Sequence, residues 1–169
     1  MTLEIRPERD ADRAGVRSVN RAAFETPQEA DIVDALRRDV TPIVSLVAVE
    51  GAQIVGHIMF SPVGLDPAAD STLMGLGPMA VLPARQRSGI GSALVGAGLE
   101  RCRELGCDGV VVLGHPAYYP RFGFVPASRY GLRCEYDVPP EVFMAFESRP
   151  GSLGGVSGTV RYAAPFRTA

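Results

Sequence analysis

Helical spacing of apolar residues marks the first part of the chain. Residues 3–6 have the pattern of a short strand, and residues 10–24 repeat apolar side chains at the three- and four-residue spacing of an amphipathic helix. Residues 26–29, Thr-Pro-Gln-Glu, have the form of a capping box, with a hydroxyl at the cap and a glutamate three residues later. A second helix is therefore predicted from there to about residue 38.

Long strand patterns follow the two helices. Residues 43–49 are apolar and β-branched, and a similar run at residues 54–60 follows a short turn, so the two runs predict a hairpin. Residues 73–81 predict a third long strand, which Gly77 and Pro78 interrupt. Because proline cannot donate to a sheet ladder, we expect a bulge or a parting of strands at this point.

The middle of the chain has a helical pattern between two strand patterns. Residues 89–105 are apolar on more than one side and end before Gly106, a suitable residue for a left-handed cap. Residues 109–113 form an unalternating apolar run, which is typical of a strand buried on both faces. Together with the strand at residues 73–81, they predict a βαβ crossover with parallel pairing in a mixed α/β (α+β) fold. Further strands are predicted near Phe124, around Tyr136 or Phe143, and at residues 156–162.

Length and composition indicate one globular domain. The chain has 169 residues, of which 46% are hydrophobic and 21% charged, and this suits a single domain spanning residues 1–169. A formal net charge of -2 leaves no excess of basic groups for a nucleic-acid backbone, so nucleic acid is not an expected partner. The amino terminus is charged from the start, and no apolar run approaches the roughly 20 residues that span a bilayer. We therefore expect a cytoplasmic protein without a membrane partner.

The three cysteines give no sign of special chemistry. Cys102, Cys107 and Cys134 fit neither a disulfide framework nor a zinc site in number and spacing, and only His57 and His115 could assist them. We interpret them as reduced thiols with packing or surface roles and expect no metal site. Two of them lie on or just after the central helix and the third has no histidine nearby in sequence, so no cysteine nucleophile is indicated.

A glycine-containing loop, Gln-Arg-Ser-Gly-Ile-Gly at residues 86–91, joins the third strand to the central helix. Unpaired backbone N–H groups and the helix dipole favour an anion at such a junction. Gly89 and Gly91 allow a diphosphate to approach closely, and Arg87 adds positive charge. The loop lacks the Gly-Lys-Ser/Thr of a P-loop and the third glycine of a dinucleotide fingerprint, which weakens both nucleotide interpretations. A purely structural role in a tight turn is the alternative.

This loop resembles the signature of the GNAT (Gcn5-related N-acetyltransferase) superfamily, Gln/Arg-x-x-Gly-x-Gly/Ala, which follows a strand ending in Val-x-Pro, here residues 81–83. The resemblance extends over nearly the whole chain and includes the two amino-terminal helices and the hairpin. The Tyr-Pro-Arg-Phe-Gly-Phe segment at residues 119–124 is similar to the family's Tyr-x-x-x-Gly-Phe. Within the superfamily the chain resembles most the YhbS-like predicted acetyltransferases, through residues 76–81 and 118–124.

The resemblance implies the GNAT acyl-CoA N-acyltransferase fold, a central mixed, twisted sheet of about six to seven strands flanked by helices. Acetyl-CoA would lie between two splayed parallel strands, within a cofactor core at about residues 73–125 that precedes a carboxy-terminal strand region at about residues 134–165. In the family, backbone groups near the end of the first of these strands pair with the pantetheine arm and polarise the thioester carbonyl, and Met79 and Val81 match those positions. The expected cofactor-binding residues are Met79, Ala80, Val81, Gln86, Arg87, Ser88, Gly89, Ile90, Gly91, Ser92 and Tyr119.

Tyr119 matches the tyrosine that, in many family members, protonates the departing CoA thiolate as a general acid. Its phenol has a reference pKa of about 10 and therefore holds its proton at pH 7. Packing with the nearby phenylalanines is the alternative role, and Tyr118 is a neighbouring rival for the catalytic one. Pro116 and Pro120 predict that the helix usually found here is short or distorted.

The residues leave open which base takes the proton from the acceptor amine. Glu25 and Glu29 are candidates because they lie at the junction of the two amino-terminal helices, which borders the acceptor site in relatives. His57 is a candidate because it lies on a central strand. For both residues a structural role is the stronger explanation: helix capping for Glu29, and a buried site with satisfied hydrogen bonds for His57. His115 is either a cofactor contact or a loop residue.

The leading hypothesis is an N-acetyltransferase that moves the acetyl group of acetyl-CoA directly to a primary amine of a small molecule or a protein, without a covalent enzyme intermediate. A catalytically inactive acyl-CoA-binding sensor or partner module is the alternative, and a nucleotide-binding protein is a third hypothesis. Relatives with this fold accept several classes of amine, so the fold does not identify the acceptor. Dimers are frequent in the superfamily and the strand at residues 156–162 could offer an edge, so a homodimer is a further expectation.

Overall fold

The computed structural model describes residues 2–168, with side chains to residue 167. In this range nine strands form a mixed sheet, and helices cover both of its faces. The strands are β1 (Leu3–Pro7), β2 (Val44–Glu50), β3 (Gln53–Asp66), β4 (Leu73–Val81), β5 (Gly109–Leu113), β6 (Val125–Pro126), β7 (Leu132–Cys134), β8 (Phe143–Glu147) and β9 (Gly158–Arg161). The helices are α1 (Arg13–Phe24), α2 (Gln28–Asp39), α3 (Ile90–Glu104) and α4 (Ala164–Thr168).

The predicted sheet of six to seven strands is confirmed in its main path, which follows the order β1-β2-β3-β4-β5-β8-β6. The hairpin of β2 and β3 is antiparallel, and β4 and β5 are parallel and joined by α3, as the sequence predicts. α1 and α2 pack on one face of the sheet and α3 on the other. β7 and β9 lie off the main path and pair with each other.

The helix starts differ from the sequence pattern in a way that matters for one candidate residue. Residues 10–12 form a short 3-10 turn before α1. α2 begins at Gln28 with Pro27 at its cap, and no side chain caps a backbone N–H there. The Thr26 hydroxyl instead donates to the Glu29 carboxylate over 2.9 Å. The expected capping box is therefore wrong, because its two side chains bond to each other rather than to the backbone.

β4 and β5 pair over a short stretch and then separate. Only residues 73–75 of β4 pair with residues 109–111 of β5. Gly77 has φ 147°, in the range that favours glycine, and the register with β3 shifts between Ile58 and Phe60, opposite this point. The predicted parting of strands at Gly77 and Pro78 is thus present, and it leaves the edge of β4 beyond residue 75 without a strand partner on the β5 side.

The expectation of a free edge at residues 156–162 is wrong. β9 pairs antiparallel with residues 64–66 of β3 and parallel with β7, so both of its edges are occupied. The cause is the length of β3, which continues to Asp66 rather than ending near residue 60. This pairing brings the end of the chain back across the sheet, next to the gap between β4 and β5.

Candidate active site

The glycine loop leaves β4 at Val81 and enters α3 at Ile90. The Gln86 side chain donates to the Val81 carbonyl over 3.1 Å, which ties the loop back to the strand. Gly89 caps α3 with φ 89°, a left-handed conformation that glycine adopts without a Cβ clash. Ala93 N–H donates to the Gly89 carbonyl over 3.0 Å, and the N–H groups before it have no helical acceptor, so they are available to an anion.

A cavity of 440 Å³, the loop cavity, lies over this loop. Three arginines line it, Arg85, Arg87 and Arg121, and no carboxylate of the described residues does. Arg121 also lies 4.7 Å from the centre of the Tyr118 ring. The loop cavity therefore has the backbone donors, the positive charge and the space that a diphosphate requires. Its lining consists of Val81, Arg85, Gln86, Arg87, Gly89, Gly91, Ser92, Tyr118 and Arg121.

The predicted cofactor-binding residues differ in what they offer to this cavity. Ala80 and Ile90 are 2% and 4% exposed, so their side chains belong to the core and only their backbone is available to a ligand. Ser88 is exposed and donates its hydroxyl to the Arg85 carbonyl. Gly91 lies beside Met79, whose Cε would be 3.7 Å from a Cβ at this glycine. The Met79 side chain of β4 therefore lies next to the loop cavity.

A second cavity of 440 Å³, the cleft cavity, lies where β4 and β5 separate. Its base is formed by residues 76–79 of β4 and by the last two residues of β5. Among the described residues that line it there is one carboxylate, Glu29, and no lysine, arginine or histidine. The other walls come from α1, α2 and the late part of the chain: Phe24, Gln28, Ile32, Tyr119, Tyr136, Tyr162 and Phe166.

Tyr118 and Tyr119 are neighbours in sequence but line different cavities. The Tyr118 hydroxyl lies 3.1 Å from the Ser92 hydroxyl and faces the loop cavity. Tyr119 begins a short 3-10 helix, Tyr119–Phe122, and lines the cleft cavity together with Met79. The short helix agrees with the expectation from the two prolines of this segment.

The surroundings of Tyr119 keep its phenol protonated. Its side chain is 8% exposed and packs against the Tyr118 and Phe124 rings at centroid distances of 5.1 and 5.5 Å. Burial, followed by the electrostatic effect of Tyr118, raises the pKa of Tyr119 to about 12. Gly114 makes room for this ring, because a Cβ there would lie 2.3 Å from Tyr119 Cε2.

The candidates for the base differ in whether they line a cavity. Glu29 lines the cleft cavity with Tyr119, whereas Glu25 ends α1 in a left-handed conformation with φ 61° and lines neither cavity. His115 is exposed, and its carbonyl accepts the Tyr118 and Tyr119 N–H groups. Its side chain lines neither cavity. Of the candidates proposed from sequence, Glu29 alone is placed in the cleft cavity.

His57 is fully buried away from both cavities and belongs to a hydrogen-bond network. Asn20 Nδ2 donates to its Nδ1 over 3.2 Å, and its Nε2 lies 2.8 Å from the Ser45 hydroxyl, which donates to Glu8 over 2.7 Å. Burial, and to a lesser degree the nearby charge of Arg37, lowers the pKa of His57 to about 3. This environment holds a neutral imidazole and fits the alternative of a buried structural histidine.

In the described part of the chain, the cysteines lie outside the linings of the two cavities. Cys102 and Cys107 are buried near the junction of α3 and β5, and Cys134 is half-buried on β7. None of the three lines the loop cavity or the cleft cavity. The structure therefore brings no thiol to either cavity.

Sequence reasoning missed two groups of lining residues. Arg85 and Arg121 flank the loop cavity, and Arg121 could have been found in the Tyr-Pro-Arg-Phe segment that carried the resemblance. Tyr136, Tyr162 and Phe166 reach the cleft cavity only because β9 pairs with β3, a long-range contact without a local sequence signal.

A parallel strand pair that separates beside an anion-binding loop, with a tyrosine and a carboxylate in the opening, defines an acyl-CoA N-acyltransferase fold. The chain belongs to the acetyltransferase (GNAT) family, whose family model matches residues 13–124. It is 37% identical to the uncharacterized N-acetyltransferase YjhQ of Escherichia coli K12, with 94% of this chain and 91% of YjhQ covered. It is 36% identical to the uncharacterized N-acetyltransferase YhbS of the same strain, with 94% and 95% covered.

Two solved structures are similar over almost the whole chain. The GNAT family N-acetyltransferase YhbS from Escherichia coli, in complex with CoA, has a TM-score of 0.91 and 34% identity, and the match covers 98% of this chain and 92% of YhbS. A GNAT family acetyltransferase from Brucella melitensis, in complex with acetyl-CoA, has a TM-score of 0.80 and 40% identity, with 98% of both chains covered. Among the described residues, no helix is long and apolar enough to cross a membrane.

Proposed function

We propose that the protein is an N-acetyltransferase that transfers the acetyl group of acetyl-CoA directly to a primary amine. The observation that carries the proposal is the presence of Tyr119 and Glu29 in one cavity with the unpaired edge of β4. That cavity adjoins a loop suited to a diphosphate, and the complexes of the Escherichia coli and Brucella relatives with CoA and acetyl-CoA support this ligand.

The residues present fit acetyl-CoA. The loop cavity would hold the diphosphate through backbone N–H groups of the glycine loop and through Arg87 and Arg121, while Arg85 is paired with Glu50. The backbone of Met79 and Val81, on the edge of β4 that β5 leaves unpaired, would hold the pantetheine arm. When bound, acetyl-CoA supplies an acetyl group activated as a thioester, with CoA as the leaving thiol.

Three groups of this chain would carry the chemistry. The Met79 N–H donates a hydrogen bond to the carbonyl that is attacked, and a donor of this kind is typically worth roughly 3 to 4 kcal/mol. Glu29 takes the proton that the acceptor amine must lose. Tyr119, whose pKa of about 12 keeps it protonated at neutral pH, donates a proton to the leaving sulfur.

The absence of a thiol from both cavities, in the part of the chain that the structure describes, supports direct transfer over a covalent acyl-enzyme. The position of Tyr119 supports an enzyme over an inactive acyl-CoA-binding module, because a binding module has no use for a proton donor in the cleft cavity.

Calorimetric titration of the protein with acetyl-CoA, free CoA and NAD tests the cofactor part of this proposal. We expect micromolar binding of both CoA species and none of NAD. Gly89→Val should abolish binding, because the backbone at this position has φ 89°, which valine rarely adopts, and because the added side chain would fill the open space beside the loop. Gly96→Ala, on α3 with open space around it, should bind normally.

A thiol-release assay with a panel of amines tests the transfer. CoA binding without transfer to any amine would favour the inactive module, and binding of NAD in competition with CoA would favour the nucleotide-binding alternative. Failure to bind CoA would overturn the proposed function.

A further inference from the structure

The exposed apolar surface of the protein is concentrated at the cleft cavity. Four large hydrophobic side chains of the described residues are exposed: Phe24, Leu105, Leu113 and Tyr136. Three of them, Phe24, Leu113 and Tyr136, line this cavity at 37%, 37% and 38% exposure. Exposed apolar surface gathered at one concave site is typical of a binding site for an apolar ligand.

One wall of the cleft cavity is aromatic and preorganised. The Tyr136 ring stacks on Tyr162 with centroids 5.9 Å apart and an interplanar angle of 19°. The Phe166 ring also packs against Tyr162, with the two ring centroids 5.7 Å apart. Tyr162 is held in turn against β4, because its Cε1 would lie 3.0 Å from a Cβ at Gly75. A fixed aromatic wall of this kind favours a flat, apolar ligand group.

The charge of the cleft cavity is negative and comes from one place. Glu29 is its sole ionisable carboxylate among the described residues, and no cationic side chain balances it there. Thr26 donates to Glu29 Oε1 over 2.9 Å and so orients the carboxylate, while Oε2 has no protein hydrogen-bond partner among the described residues. Such a site attracts an ammonium group and repels an acceptor that carries its own carboxylate.

We infer that the acceptor is a primary amine carried on an aromatic body, with its ammonium group at Glu29 and its ring against Tyr136. This inference rests on the proposed function and adds the substrate class to it. A polyamine would place a second cation in a cavity that has one carboxylate, and an aminosugar would have only Gln28 and the tyrosine hydroxyls to pair with its several hydroxyls, so both are poorer fits.

The test compares four amines with the wild-type protein: 2-phenylethylamine, spermidine, glucosamine and glutamate. Transfer from acetyl-CoA is followed by thiol release, and binding of each amine to the CoA-loaded protein is followed by calorimetry. We expect kcat/KM for 2-phenylethylamine to exceed that of the other three amines by at least about tenfold. We also expect 2-phenylethylamine to bind detectably to the CoA-loaded protein, where no transfer takes place.

Two pairs of variants assign the recognition to its residues. Glu29→Gln should weaken binding of 2-phenylethylamine about tenfold, whereas Asp31→Asn, which removes the same charge from an exposed site on α2, should not. Tyr136→Ala should raise KM for 2-phenylethylamine about tenfold, whereas Tyr136→Phe, which keeps the ring, should have a KM close to that of the wild type. CoA binding should be unchanged in all four variants.

The outcomes separate the two proposals. Preferred transfer to spermidine, glucosamine or glutamate would overturn the substrate class and leave the N-acetyltransferase function intact. Binding of 2-phenylethylamine without transfer to any amine would support the aromatic-amine site and overturn the function. Failure of CoA to bind would overturn both.

Discussion

At the scale of single residues, two consecutive tyrosines line different cavities. Tyr118 lines the loop cavity and Tyr119 the cleft cavity, although their ring centroids are only 5.1 Å apart. Consecutive residues of a short 3-10 turn point in different directions, so under the proposed function an offset of one residue would decide which tyrosine faces the thioester. The family resemblance favours Tyr119, but the sequence alone does not show into which cavity either side chain points.

Replacement of Tyr119 by phenylalanine tests that division. Tyr119→Phe should lower kcat roughly a hundredfold, the scale of a lost general acid, with an unchanged dissociation constant for acetyl-CoA. Tyr118→Phe is the matched control and should lower kcat by no more than a few-fold. Steady-state kinetics with an accepted amine and calorimetry measure the two effects. A wild-type rate in Tyr119→Phe, or the larger loss in Tyr118→Phe, would show that the acid is misassigned.

Gly114 offers a second test through the position of the same ring. A Cβ at this residue would lie 2.3 Å from Tyr119 Cε2, so Gly114→Ala must displace the ring. We expect kcat to fall at least tenfold while CoA still binds, because misplacing a reacting group by about 1 Å is costly in rate. Binding and turnover measured together check this, and an unaffected kcat would mean that the orientation of Tyr119 is unimportant.

At the scale of elements, Gly98 allows α3 to lie close to the sheet. A Cβ at Gly98 would lie 2.2 Å from Phe60 Cε1, and Phe60 is fully buried on β3. The glycine loop leads directly into the first turn of this helix, so the packing of α3 on the sheet also holds the loop beside β4.

A pair of alanine substitutions on α3 should have opposite effects on stability. Gly98→Ala should lower the free energy of unfolding by about 1 to 3 kcal/mol through overpacking against Phe60. Gly96→Ala, two residues away in open space, should raise it by up to about 1 kcal/mol through helix propensity. Denaturant unfolding curves measure both, and a common sign for the two variants would contradict the packing argument.

The elements themselves were predictable from local patterns, including the strand at residues 156–162, but the pairing of distant strands was not. β4, the glycine loop, α3 and β5 follow one another in the chain, and their bounds agree with the sequence pattern to within about a residue. β9 needs β3 to extend past residue 60, and no periodicity in residues 61–66 announces this extension. The aromatic wall of the cleft cavity depends on that pairing and was missed for the same reason.

At the scale of the whole molecule, the buried network around His57 joins both amino-terminal helices to the sheet. Asn20 lies on α1, Ser45 on β2 and His57 on β3, and Glu8 follows β1. Arg37 of α2 donates to Glu8 over 2.6 Å. Because Asn20 Nδ2 already donates to His57 Nδ1, a proton on that nitrogen has no acceptor, and the network requires the neutral ring.

This requirement predicts acid sensitivity. The pKa of His57 in the folded state is about 3, below the value of about 6.5 expected in the unfolded chain, so the unfolded state binds more protons between these values. Stability from this group is complete above about pH 6.5 and is lost as the pH falls toward about 3. The free energy of unfolding should therefore drop by about 2 kcal/mol between pH 7.5 and pH 5.

Denaturant titrations at a series of pH values measure this drop. His57→Gln should lose overall stability but also lose most of the pH dependence in this window. A variant that keeps the full slope would show that another group is responsible.

The pairing of β9 with β3 determines which part of the chain supplies the aromatic wall of the cleft cavity. The family model matches residues 13–124, which contain the glycine loop, β4 and Tyr119, while Tyr136, Tyr162 and Phe166 come later in the chain. Under the proposed function, residues 13–124 would hold the acyl donor and supply Glu29, while the aromatic wall of the acceptor site comes from later in the chain. Exchange of the region after residue 124 between relatives would then change the group that the aromatic wall accepts, while Glu29 and the glycine loop stay the same.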